Sequence, residues 1–236
     1  MHDTSVSKRL IGIVTVGLLI ALGSTGLEAH GVTGKDAVFL QGLDGQAIGP
    51  LMYLGAKHMV TGYDHLLFLV GVIFFLYRLK DVLLYDSLFT LGHSLTLLGG
   101  VLGGIHANAY IIDAIIGFSV VYKAFENMDG FRRFFGVQPN TRAAVLIFGL
   151  FHGFGLATKL QEFALSQNGL ITNIVSFNVG VELGQGLALT FILIALSYWR
   201  TRPGFMEHAF ATNAIVMAGG FLLVGYQLSG YFLGVA

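Results

Sequence analysis

The chain has 236 residues, of which 55% are hydrophobic and 11% charged, and its mean hydropathy is +0.75. An ordinary soluble domain carries roughly 25% charged residues, so this composition describes a polytopic membrane protein. A formal net charge of zero gives no basic stripe for nucleic acid, and the lack of cysteine removes disulfides, iron–sulfur clusters and thiolate metal sites, leaving histidine nitrogen and Asp, Glu or Asn oxygen as ligands.

The N-terminus reads Lys8-Arg9, an apolar stretch from Leu10 to Leu22, then small and polar residues up to Leu27-Glu28-Ala29. This pattern predicts a secretory signal peptide over 1–29 with cleavage after Ala29; the alternative is an uncleaved first span. Cleavage makes His30 the mature N-terminal residue and leaves 30–49 as a short extracytoplasmic lead-in. Residues 50–236 then predict an all-α membrane bundle of six transmembrane helices, near 51–78, 82–104, 109–127, 143–160, 172–199 and 209–234, since about 20 apolar residues span a bilayer.

Orientation follows from lysine and arginine. Arg78 and Lys80 lie in the first loop, Lys123, Arg132, Arg133 and Arg142 flank the third, and Arg200 and Arg202 lie in the fifth, whereas the second has none and the fourth only Lys159. Loops one, three and five are therefore expected in the cytoplasm and both mature termini outside.

The spans carry more polarity than lipid tolerates without a reason, because an ionisable group in hydrocarbon costs several kcal/mol unless paired, hydrated or metallated. The first holds His58, Asp64 and His65. On a continuous helix, positions seven apart share a face but are separated by about 10 Å along the axis, so His58 and His65 cannot then hold one ion. A break at Gly62 removes that objection; otherwise the two belong to successive sites. Asp64 is either a ligand or the group that fixes an imidazole tautomer. The second span holds His93 and the fourth His152 with glycines beside it; the fifth holds Asn178, Glu182 and Gln185 at i, i+4 and i+7, with Gly180 and Gly184 on a packing face. Asp113, early in the third span, reads either as a supporting or entrance carboxylate or as a solvated helix end. Glu126 with Asn127 reads as an interfacial cap, and His106 and His208 as surface residues.

Four ordered segments, His58-Met-Val-Thr-Gly-Tyr-Asp-His-Leu-Leu-Phe-Leu, Phe89-Thr-Leu-Gly-His-Ser-Leu-Thr-Leu, Phe148-Gly-Leu-Phe-His-Gly-Phe-Gly and Phe177-Asn-Val-Gly-Val-Glu-Leu-Gly-Gln, closely resemble the HupE/UreJ family. These are bacterial membrane proteins associated with hydrogenase and urease maturation and regarded as secondary nickel or cobalt permeases. The resemblance implies that His58, Asp64, His65, His93, His152 and Glu182 are the family's polar positions; the polarity of the spans adds Asn178, Gln185 and Asp113, and the expected cleavage adds His30, as further candidates. The resemblance also implies an inner-membrane location, and an outer-membrane metal receptor or nickel-enzyme maturation machinery as partners. The His-x4-Asp-His pattern of the wider nickel/cobalt transporters is not matched, since five residues separate His58 from Asp64.

The expected function is a permease for a divalent transition metal ion, nickel or cobalt first, with zinc, copper(II) and iron also compatible with such ligands. No Gly-x4-Gly-Lys-Ser/Thr segment for ATP occurs. Two other readings use the same residues: an intramembrane metallohydrolase in which Glu182 or Asp64 activates water, and an accessory protein that binds metal without moving it.

Overall fold

The computed structural model describes residues 35–162 and 166–234; the expected signal peptide and His30 lie outside them. Among the described residues there is no strand. The helices are α1 (Lys35–Gln41), α2 (Ile48–Thr61), α3 (Tyr63–Ile73), α4 (Leu79–Leu102), α5 (Ala109–Asn127), α6 (Gly130–Phe135), α7 (Thr141–Gln161), α8 (Leu170–Arg200) and α9 (Phe205–Leu233).

Local sequence explains the punctuation. Pro50 falls in the first turn of α2, where no N–H is needed, and Pro139 and Pro203 lie in connections. Asn108 and Asn140 cap α5 and α7, their side chains accepting from Ile111 N at 3.2 Å and from Arg142 N at 3.0 Å. Gly204, at φ +84°, makes the tight turn between α8 and α9.

By length and composition four helices, α4, α7, α8 and α9, can cross a membrane. The stretch expected as one span over 51–78 is instead two helices of 14 and 11 residues, broken at Gly62 with φ −72° and ψ 96°. The 109–127 stretch is a single 19-residue helix, α5, that buries Asp113, Lys123 and Glu126.

The bundle consists chiefly of three helix pairs, α2 with α8, α4 with α7, and α5 with α9. Each pair meets at glycines where backbones touch, as lipid-embedded helices require when no hydrophobic effect drives them together. A Cβ on Gly55 would stand 2.0 Å from Phe177 O, one on Gly180 2.0 Å from Met52 O, one on Gly153 2.0 Å from His93 O and one on Gly220 2.9 Å from Val121 N. The small-residue face anticipated at Gly180 and Gly184 is therefore the seam against α2. Helix α3 packs among these pairs, burying Phe68, Val72 and Ile73 against Phe89, Val120, Phe148 and Val216.

The two ends of the bundle differ. At one, Arg200 donates to the carbonyls of Leu76 (2.9 Å) and Phe74 (2.8 Å), tying the α8 terminus to the α3–α4 loop, and Asn127 donates to Gly71 O at 2.8 Å. Arg78, Lys80 and Arg202 stand at the same end, Arg78 and Arg202 in loops and Lys80 in the first turn of α4. At the other, Asn173 accepts from Ala47 N at 2.8 Å, joining the lead-in to the start of α8, and Gln161 donates to Ile105 O at 3.1 Å, joining the end of α7 to the α4–α5 connection.

Candidate metal centre

The break at Gly62 determines the site. Gly62 N donates to His58 O at 2.9 Å, ending α2, and Leu66 N donates to Gly62 O at 3.0 Å, starting α3. The chain thus changes direction between the two histidines, and their ring centroids are 5.4 Å apart, not the roughly 10 Å of a continuous helix. Of the two geometries the sequence left open, the structure adopts the one that brings them together.

His65 is fully buried at the centre. Its ring centroid is 4.8 Å from that of His152 on α7, 5.4 Å from that of His58 on α2 and 6.1 Å from that of His93 on α4. Four helices therefore deliver one imidazole each to one place. Phe89 and Phe68 wall it, their rings 5.0 and 5.2 Å from His152, so the histidines sit in an apolar, closely packed interior.

Two of the rings have their proton side assigned by their partners. Asp64 Oδ1 accepts from His65 N at 2.8 Å and faces His65 Nδ1 at 3.2 Å. His152 Nδ1 lies 2.8 Å from Phe148 O, which can only accept. Both contacts put the proton on Nδ1 and leave Nε2 as the basic nitrogen, the arrangement in which metal-binding histidines are held. Asp64, 2% exposed, thus occupies the position of a tautomer-fixing partner.

A metal about 2.1 Å from an imidazole nitrogen lies roughly 3.2 Å from the ring centroid, so two histidines on one ion have centroids about 4.5–5.5 Å apart for octahedral or tetrahedral angles. The His65–His152 and His65–His58 spacings fall in that range and His65–His93 slightly beyond it. As the side chains stand, no group of three among the described residues is arranged to hold an ion; the nitrogens must turn inward from the edge-on packing of these rings.

The remaining candidates lie elsewhere. Asp113 is buried and bonded to Lys159 Nζ at 2.7 Å across α5 and α7, so it is not a solvated helix end. Glu182 was expected inside the bundle, yet it is exposed on the flank between α4 and α8. There Asn178 Nδ2 donates to Glu182 Oε1 at 3.1 Å and to Ser94 Oγ at 3.0 Å. One turn further on, Gln185 Nε2 donates to Thr90 Oγ1 at 2.9 Å and to Asp86 Oδ1. Sequence reasoning passed over Asp86, although Asp86, Thr90 and Ser94 repeat at i, i+4 and i+8 and so match the polar face of α8. Glu126 is buried in the last turn of α5, bonded to Lys123 at 2.6 Å and to Gln138 at 3.1 Å. His106 is exposed, as anticipated, and His208 is half-buried.

These features define a helical membrane protein with a buried polyhistidine centre. The family model described as HupE / UreJ protein matches residues 34–235, and the chain belongs to that family. No curated protein and no solved structure matches the chain. The family suggests a membrane transport or accessory function connected with nickel or cobalt.

Proposed function

We propose that the protein is a secondary permease for a divalent transition metal ion, with nickel or cobalt as substrate, and that the four-histidine cluster is its central binding station. The observation that supports this most directly is the convergence of His58, His93 and His152 on His65, with the proton positions of His65 and His152 assigned by Asp64 and Phe148. Neutral imidazoles suit nickel and cobalt, and a single nearby carboxylate keeps affinity moderate enough for release.

In this reading α2 and α3 together form one span and α5 another, giving six after a cleaved signal peptide. The end carrying Arg78, Lys80, Arg200 and Arg202 is cytoplasmic by the positive-inside rule, and the protein lies in the inner membrane with its mature termini outside. Metal enters from the side of the lead-in, where His30 begins the mature chain, loses water stepwise to His58 and His65, and is shared with His93 and His152. An outer-membrane receptor would supply the ion and nickel-enzyme maturation machinery would receive it.

The test is metal-resolved uptake by proteoliposomes loaded with a metal-responsive dye. Wild type should admit nickel or cobalt, and His65→Ala should not. Equal uptake by the two would overturn the assignment. Binding without a luminal signal would favour the accessory role, and tightly held zinc with lipid or peptide hydrolysis the hydrolase.

A further inference from the structure

Among the described residues, four carboxylates within helices long enough to cross a membrane form no ion pair: Asp81 and Glu207, in the first turns of α4 and α9, and Asp86 on α4 and Glu182 on α8, which stand further along their helices. Asp36, Asp113 and Glu126 each have a lysine, at 2.6, 2.7 and 2.6 Å. Asp86 and Glu182 are instead bonded to neutral groups: Gln185 on Asp86, and Asn178 with Ser94 on Glu182, the last at 3.3 Å. Glu182 is exposed and Asp86 half-buried. A carboxylate on the flank of a membrane helix is costly unless a cation or water compensates it, so this pair calls for a counter-ion that the described residues do not supply.

The pair is also placed along a path. Helices α4 and α8 run antiparallel, so the rungs Ser94–Asn178, Glu182 and Thr90–Gln185–Asp86 succeed one another toward the end bearing Arg78 and Arg200. Asp86 is seven residues before His93 on α4, about 10 Å nearer that end and on almost the same face. His93 heads the ladder. It is 2% exposed, its Nε2 has no hydrogen-bond partner, and its ring borders both His65 and Asn178. The buried cluster and the carboxylate ladder therefore meet at one residue.

We propose that this α4–α8 ladder is a second cation station, with Asp86 and Glu182 as its carboxylate ligands and the Thr90 and Gln185 oxygens, with water, completing an all-oxygen shell. It takes the divalent cation from His93 and passes it toward the basic end. The sequence of hand-off, from nitrogen ligands to oxygen ligands, rests on the permease reading; the existence of the oxygen site does not. Oxygen donors hold nickel or cobalt less tightly than imidazole and tolerate manganese well, which fits an exit station and provides a probe.

Two measurements on the full-length protein decide it. In detergent, Mn²⁺ is titrated by electron paramagnetic resonance against His65→Ala, in which the histidine station is removed. A bound-Mn²⁺ signal should persist there and disappear in His65→Ala/Asp86→Asn/Glu182→Gln. Absence of bound Mn²⁺ in His65→Ala, or its survival in the triple variant, would overturn the site. In proteoliposomes, Asp86→Asn should keep cobalt affinity within about twofold of wild type while the initial uptake rate falls at least tenfold, and Asp86→Glu should restore it. Unchanged uptake, or loss of cobalt binding together with uptake, would overturn the exit role. Failure of wild type to transport, with the Mn²⁺ result as expected, would remove the permease reading and leave the oxygen site standing.

Discussion

Gly62→Ala is expected to weaken metal binding about 5- to 30-fold while the bundle stays folded. The break at Gly62 keeps the His58 and His65 rings 5.4 Å apart. Were α2 and α3 to fuse, seven residues at 1.5 Å would separate them by about 10.5 Å, beyond the ~6.4 Å that two rings on one ion can span. Alanine favours the fused helix by about 1 kcal/mol relative to glycine. In the broken form its Cβ would also lie 3.0 Å from His58 O, 3.2 Å from His65 Nδ1 and 3.4 Å from Asp64 Oδ1, so it crowds the contact that orients His65. Together these effects come to about 1–2 kcal/mol, or a 5- to 30-fold change in population. Cobalt titration followed by ligand-field absorption measures it, with Gly49→Ala as control because a Cβ there meets nothing within 4 Å. An unchanged affinity and spectrum in Gly62→Ala would refute the claim that the break builds the site.

His65→Ala should cost more than His58→Ala in cobalt affinity, since His65 alone neighbours each of the other three rings; a larger loss from His58→Ala would contradict its central place. Gly153→Ala would set a Cβ 2.0 Å from His93 O and 2.5 Å from Thr96 Oγ1, and overpacking of this kind costs about 1–3 kcal/mol, read as a melting temperature several degrees lower in detergent. Metal affinity should fall as pH falls, because imidazole binds only when deprotonated; titrations at pH 7.5 and 5.5 that agree would count against histidine ligation.

The extent to which the sequence disclosed this arrangement depended on the range of each signal. Hydropathy identifies α4, α7, α8 and α9 because each is a long unbroken apolar helix. It merges α2 with α3, since Gly62 does not interrupt the apolar pattern; only the improbability of two histidines seven apart on one ion pointed to a break. The histidine positions were readable because buried imidazoles are expensive wherever they fall. Burial itself was not: Glu182 looked internal from its position in an apolar helix, but whether a helical face meets another helix or the exterior depends on pairing, and α8 presents its glycine face to α2 and leaves Glu182 at the edge toward α4. Asp86 and the Lys123–Glu126 and Lys159–Asp113 pairs escaped for the same reason, because each is defined by a partner on another turn or another helix.

Those lysine pairs give the carboxylates a way to be sorted by experiment. Lys159 and Asp113 are 12% and 5% exposed and 2.7 Å apart. Removing one member of a buried pair costs about 3–5 kcal/mol because the other charge stays behind, whereas replacing both by apolar groups is often neutral. Lys159→Met should therefore lower the melting temperature by roughly 6–20 °C, at 2–4 °C per kcal/mol for a chain of this size, and Lys159→Met/Asp113→Leu should recover most of it. Asp86→Asn strands no cation, so its melting temperature should stay within a few degrees of wild type while its effect falls on ion handling. If Lys159→Met proved as stable as wild type, a lysine partner would not mark a structural carboxylate, and the contrast that singles out Asp86 and Glu182 would lose its basis.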